Sequence, residues 1–434
     1  MIKLIMFRRR VWLVIRLMGI VALIVVAIGP EWPAFGDAKF RFQAIVGRER
    51  RFDFLDWSID ALGDKAQAIF AGSHRFLPEA ARKEYVLSYL VQLAEIQRLE
   101  AEIERVYADP SVPDAEIATA DLRAERDSRR RELDLRQAMA EAIVQQQVAT
   151  LLNEQGLQIG GVTWPPVLMT MSPVPYMLIV SPRDRIAQVD SAALVPGLST
   201  EHKEQMEDAI IDELNQSGLV VPIGGLGTYP AMIRETSSIN WLAEVTAHEW
   251  THHWLSLRPL GVRYLDSPQM RTINETVASL VDLEIGPQVI ARFYPERVPP
   301  APVTVSPPAT VEPPAPAFDF SAEMAETRAT VDRLLGEGEI ERAEEYMEAR
   351  RRVFLDNGYN IRKLNQAYFA FYGGYAAEPG GAAGADPIGP MLRDLREASP
   401  SLRQFLVDVG RITSYADLVE LHRARIGGEP AAAQ

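Results

Sequence analysis

A chain of 434 residues is long enough for two or three domains with a sizeable core. Its formal net charge of -14, with no basic patch outside the N-terminus, argues against nucleic acid as a partner. With no cysteine it can form no disulfide and offer no thiolate, so any zinc has to be held by histidine and carboxylate.

Residues 1–30 read as a membrane anchor. Lys3, Arg8, Arg9 and Arg10 precede an apolar run over 11–28 that only Arg16 interrupts. With Arg16 snorkelling to the headgroups the run is just long enough to span a bilayer. The positive flank then puts the N-terminus inside and the rest of the chain outside. A signal peptide removed by cleavage, giving a secreted protein, is the alternative, because the stretch 17–28 has the length of a signal core; no A-x-A site follows it.

Over 31–154 the composition turns helical and charged. Tyr89, Ile96 and Ile103 recur at seven, interleaved by Leu99 and Val106, until Pro110 and Pro113 break the helix. A second helix carries Val144, Val148 and Leu151 on one strip, so the pair predicts a long antiparallel hairpin with coiled-coil spacing. A helical subdomain packed on the remaining core is the expected role. A stalk, a lid, or a dimerisation element that would make the chain a homo-oligomer are the other readings. The charges of 123–132 form its solvated face.

Between 155 and 298 the pattern changes. The runs over 174–180 and 219–225 are β-branched and bounded by proline and glycine, which predicts short strands. The stretch 241–255, WLAEVTAHEWTHHWL, then holds HExxH at His248, Glu249 and His252. On a helix the two histidines stack one turn apart on one face, so both imidazoles can reach one ion. Glu249 stands beside them, placed to take a proton from water at the ion's open position. Leu242, Val245, Leu255, Trp241, Trp250 and Trp254 surround these groups and predict a buried helix, where unpartnered polar groups would be costly. His253, about 100° round the helix from His252, reads as a supporting or packing residue.

A tetrahedral catalytic site needs a third protein ligand. The run over 273–286, INETVASLVDLEIG, offers Glu275, with Asn274 before it and Ala278 and Ser279 after it. With HExxH upstream, this resembles the gluzincins, the thermolysin-like zinc peptidases, whose second helix supplies a glutamate ligand in motifs such as NExxA or NExxS. The resemblance covers roughly 240–290. It implies Zn2+ as cofactor, Glu275 as third ligand beside His248 and His252, a peptide or protein substrate, and strands ahead of the HExxH helix. One of those strands would be an edge that pairs with extended peptide, and the run over 219–230 is the nominee. Thermolysin-like enzymes carry an acid four residues after the ligand glutamate to orient one histidine. Here Ser279 stands there, Asp282 and Glu284 are the nearest acids, and a hydroxyl or main-chain carbonyl is an alternative orienting group. Glu284 and, more distantly, Asp266 are the fallback third ligands.

Residues 299–317 are rich in proline and read as a linker. Helices resume over 318–428. Asn365, Tyr368 and Tyr372 share one helical face that ends at Gly373 and Gly374. The segment 361–390 is similar to a stretch of bacterial predicted aminopeptidases. Gluzincins often stabilise the oxyanion with a Tyr or His from this part, which makes Tyr372 a second catalytic candidate beside Glu249.

The expected fold is α+β and mostly helical: anchor (1–30), helical hairpin region (31–154), zincin-like catalytic core with a small sheet and two metal-binding helices (155–298), linker (299–317) and helical C-terminal part (318–428). The expected function is a membrane-anchored zinc peptidase. The alternatives are a non-catalytic, membrane-tethered helical scaffold with a structural or lost zinc site, and a hydrolase of a nonpeptide amide or ester.

Overall fold

The computed structural model describes residues 37–427 apart from 55, 56, 60, 62, 64–75, 109–113, 301–317 and 374–386. The expected anchor over 1–30 and most of the expected linker over 299–317 lie outside the described residues. Among the described residues no helix is long and apolar enough to cross a membrane. Residues 1–48 form one unit, whose described part is helix α1, Ala38–Val46, with the Asp37 side chain accepting from the Ala38 amide at 2.7 Å.

The second unit runs from residue 49 onward and is mostly helical with small sheets, as the composition and periodicity predict. Its hairpin pairs α2, Glu79–Ala108, with α3, Ala120–Glu154. Hydrogen bonds between the two helices join Arg82 to Gln146, Ser88 to Arg136 and Glu100 to Arg130, so numbers rise on one helix as they fall on the other. The pairing is antiparallel. The seven-residue repeat marks the contact face, since Tyr89, Ile96, Leu99 and Ile103 are all buried, as are Val144, Val148 and Leu151. Of these, Tyr89, Ile96, Val144, Val148 and Leu151 belong to the same apolar core as Trp250, Met270, Ile273 and Leu392. The hairpin is therefore a wall of the core, and the expected boundary between 154 and 155 falls inside that core.

Two three-stranded sheets follow. In the first, β1 (Met169–Ser172) lies parallel to β6 (Ala231–Arg234), which pairs antiparallel with β5 (Gly225–Leu226) at the other edge. Helix α3 covers the outer side of β1: Gln145 and Glu141 accept from the amides of Met169 and Met171 at 3.2 and 2.7 Å, and Gln137 donates to the Met171 carbonyl at 2.6 Å. The second sheet is antiparallel, in the order β3 (Asp190–Leu194), β2 (Tyr176–Pro182), β4 (Gln216–Pro222). The side chains of β4 alternate as a pleated strand requires. Gly218 lies against Ile210 of α4, Thr200–Leu214, while Leu219 and Val221 pack with Ala367 and Phe371 of α9, Gln366–Tyr372. The buried Glu207 of α4 is tied to the Val220 amide at 2.7 Å and to Lys363 at 3.0 Å, and it also pairs with Arg362.

The apolar run over 219–225, expected as one strand, serves both sheets. Pro222 has no N–H to continue a ladder, so β4 ends there and β5 opens in the other sheet at Gly225. Helix α5, Ile239–Ser256, starts on the Ser238 cap and α6, Pro268–Phe293, on Ser267 with Pro268 in its first turn. The two cross closely where α6 has Gly286, since a Cβ there would lie 2.4 Å from Glu244 Cγ. Beyond residue 317, α7 (Phe320–Gly336) and α8 (Ile340–Asp356) share a core of their own, into which Phe369 of α9 also packs. Helices α10 (Ile388–Ala398), α11 (Leu402–Val409) and α12 (Tyr415–Ile426) join the main core.

Candidate metal centre

His248 and His252 lie one turn apart on α5, and α6 crosses so that Glu275 meets them. His248 Nε2 and His252 Nε2 are 3.2 Å apart, and Glu275 Oε2 lies 3.5 and 3.6 Å from them. A tetrahedral zinc ion with bonds of about 2.0–2.1 Å sets neighbouring ligand atoms about 3.3–3.4 Å apart, so this triangle has the size of one face of a zinc tetrahedron.

The surrounding groups fix which atoms point inward. Asp282 Oδ2, 2.7 Å from His248 Nδ1, can only accept in its ionised form, so Nδ1 carries the proton. Asn274 Oδ1 does the same for His252 Nδ1 at 2.8 Å, while Asn274 Nδ2 donates to the Leu260 carbonyl at 3.5 Å, which sets the orientation of the amide. In the neutral rings both Nε2 atoms are then acceptors, and they face each other and a carboxylate oxygen. Glu275 Oε2 is buried and takes no hydrogen bond, whereas its Oε1 accepts from Tyr264. Three converging acceptors repel one another unless a cation stands among them. The donor set fits a borderline divalent metal such as zinc.

Electrostatics agree with this. Burial alone would raise Glu275, but the imidazoles of His252 and His248 beside it, and Arg271 one turn earlier, hold it well below the usual carboxylate range. Burial pushes His248 down, yet the bond to Asp282 and the Glu275 carboxylate outweigh it and raise the ring well above its ordinary value. Glu249 is 4 % exposed, and burial raises its carboxyl against the opposing pull of His252 and His248. Its Oε2 is likewise buried with no hydrogen-bond partner.

A cavity of about 530 Å³ opens over these groups. Its apolar side is formed by Met177, Ile179, Ile223, Leu226 and Phe371. The edge strand β5 runs along it at very short range: a Cβ on Gly225 would lie 2.3 Å from Glu249 Oε1, and one on Gly227 3.0 Å from His252 Cβ. His253 donates through Nε2 to the Thr228 carbonyl and so clamps that loop onto α5; burial lowers its pKa to about 4, which leaves it neutral.

The structure thus brings together His248, Glu249, His252 and Glu275. The fallback ligands lie elsewhere: Glu284 is bound twice by Arg396, at 2.8 and 2.9 Å, and Asp266 is half exposed and pairs with Arg263 at 3.1 Å. Tyr372 stacks on Tyr368 at 4.5 Å between centroids and is not among the residues lining the cavity, where its neighbour Phe371 stands instead. An acid and an amide orient the histidines, in place of the hydroxyl or main-chain carbonyl weighed as alternatives. Asp282 follows Glu275 by seven residues, two helical turns on the same face, a spacing visible in the sequence. Nothing in the sequence marks Asn274 as the partner of His252, or Tyr264 as that of Glu275. Compared with known proteins, the chain matches no family model, no curated protein and no solved structure.

Proposed function

We propose that the chain is a zinc-dependent peptidase that works through activated water, anchored to a membrane by residues 1–30 with the rest of the chain extracytoplasmic. The observation that carries the reading is the convergence of His248 Nε2, His252 Nε2 and Glu275 Oε2 on one point beside the buried Glu249. The likeness of HExxH and the following NExxA to the gluzincin motifs supports the same reading. Zinc bound there would supply Lewis acidity and lower the pKa of a water from 15.7 to about 7.

The chain's own groups do the rest. Asp282 and Asn274 keep both histidine lone pairs turned inward, and Tyr264 occupies the other oxygen of Glu275 so that a single oxygen faces the histidines. Glu249 is raised by burial toward the pH at which a base works best. Its Oε2 is the group that takes the proton from water and returns it to the leaving amine. The edge strand β5 offers main-chain groups along the cavity for an extended substrate. A structural zinc site would be closed by four protein ligands. Among the described residues only His248, His252 and Glu275 converge, with His253 directed to Thr228 and Asp266 to Arg263.

Glu249→Gln tests the assignment. Zinc content should stay at one ion per chain while peptide cleavage falls by at least about a hundredfold. Full activity in this variant, or a metal-free native protein, overturns it.

A further inference from the structure

We infer that Gln188 reads the main chain of the substrate, its side-chain oxygen taking a peptide N–H within about three residues of the bond that is cut. This deepens the peptidase reading and rests on it.

Gln188 stands in the connection between β2 and β3, and its neighbours on both sides are tied to β2. The Ala187 amide donates to the hydroxyl of the buried Ser181 at 3.1 Å, and the Val189 amide to the Val180 carbonyl at 2.9 Å. Asp190 then opens β3 opposite Val180. Gln188 is therefore presented from a support that the sheet holds in place.

The cavity over the metal centre is lined by Gln188, and so is a second cavity of about 350 Å³ beside it. Four residues line both: Gln188, Tyr264, Leu265 and Arg271. Three of them do not wait for a donor. The Tyr264 hydroxyl is bonded to both Glu275 and Arg271, the Arg271 guanidinium has only donors, and Leu265 has an apolar side chain. Gln188 differs, because its Oε1 is buried and takes no hydrogen bond. A carbonyl oxygen can only accept, and leaving it buried without a donor is costly. A substrate that runs from one cavity into the other passes this oxygen, and each of its residues other than proline carries an N–H. The cavity over the metal, at about 530 Å³, is about 10 Å across, the length of about three residues of extended peptide.

A set of peptides tests this: acetyl-Ala-Ala-Phe-Leu-Ala-Ala amide and its analogues with a single N-methyl group at each residue in turn, so that each lacks one main-chain N–H. They are titrated by calorimetry into the purified full-length protein carrying Glu249→Gln, with and without Gln188→Met. Mass spectrometry shows whether they stay whole, and for a peptide that is cut kcat/KM replaces Kd. At least one analogue should bind about tenfold or more weakly than the parent. Gln188→Met should weaken the parent by a similar factor at unchanged zinc content, and should bind that analogue as well as it binds the parent. Gln188→Ala removes the same acceptor and gives the same readout should Gln188→Met fail to fold. A parent that does not bind, analogues that all bind like the parent, or a preference that survives both substitutions overturns the proposal. Zinc content and peptide cleavage of the native protein keep the two readings apart. A protein that holds zinc and cuts peptides without this coupling loses only the role of Gln188, and one that shows the coupling without zinc or cleavage loses only the peptidase.

Discussion

His248 owes its inward-facing lone pair to Asp282, and the two residues sit on different helices. Asp282→Asn keeps an acceptor for Nδ1 but removes the charge that makes the ring a better ligand. Zinc affinity should fall about 10–100-fold with the helices intact, read by competition with a chromophoric chelator. Protons compete for the same lone pairs. Because the Asp282 bond and the Glu275 carboxylate overcome burial and raise His248 well above its ordinary value, protonation of the ring competes with binding of an ion. Zinc uptake should therefore release protons, and affinity should rise with pH. Calorimetry in buffers of differing ionisation enthalpy measures the release. At this scale the sequence shows the residues that obey helical spacing: His248, His252 and, two turns on from Glu275, Asp282. It hides Tyr264, which lies between α5 and α6 and reaches Glu275 through its hydroxyl. Tyr372 illustrates the opposite error of reading one face of a short helix. On α9, Ala367 and Phe371 face the sheet, and Tyr368 and Tyr372 stack beside them.

Among the elements, β5 is a strand of two residues set closely against Glu249. Gly225 has to be glycine because any Cβ would collide with Glu249 Oε1 and also lie 3.1 Å from the Met232 carbonyl. Gly225→Ala should push the strand or the carboxylate aside. A fall of about tenfold or more in kcat at unchanged zinc content is expected, and steady-state kinetics with metal analysis checks it. The hairpin helices were legible because their seven-residue repeat coincides with the buried stripe. The strands were legible as apolar runs but not as partners, since one run contributes to two sheets and pairing is a long-range choice. Helix α6 extends beyond the 273–286 run that announced it, from Pro268 to Phe293, because tertiary packing carries it through Pro287.

For the whole molecule, the proposed anchor sets where the reaction takes place. The full chain should stay with the membrane pellet after alkaline carbonate extraction and keep its N-terminal residues. Recovery in the soluble fraction, shortened at its N-terminus, would favour the cleaved alternative. One apolar core runs from the hairpin through α5 and α6 to α10–α12, so the helices that carry His248, His252 and Glu275 are held from both sides by segments distant in sequence. That continuity was invisible in composition, which marks where apolar residues lie and not which of them meet. The side chains of Glu141, Gln145 and Gln137 on β1 have a consequence at this scale too. Helix α3 acts as a permanent stopper on one flank of the sheet, so another polypeptide can join it only from the flank beside Glu249 and His252. Growth of the sheet into filaments, which requires two open flanks, is blocked by the same three residues.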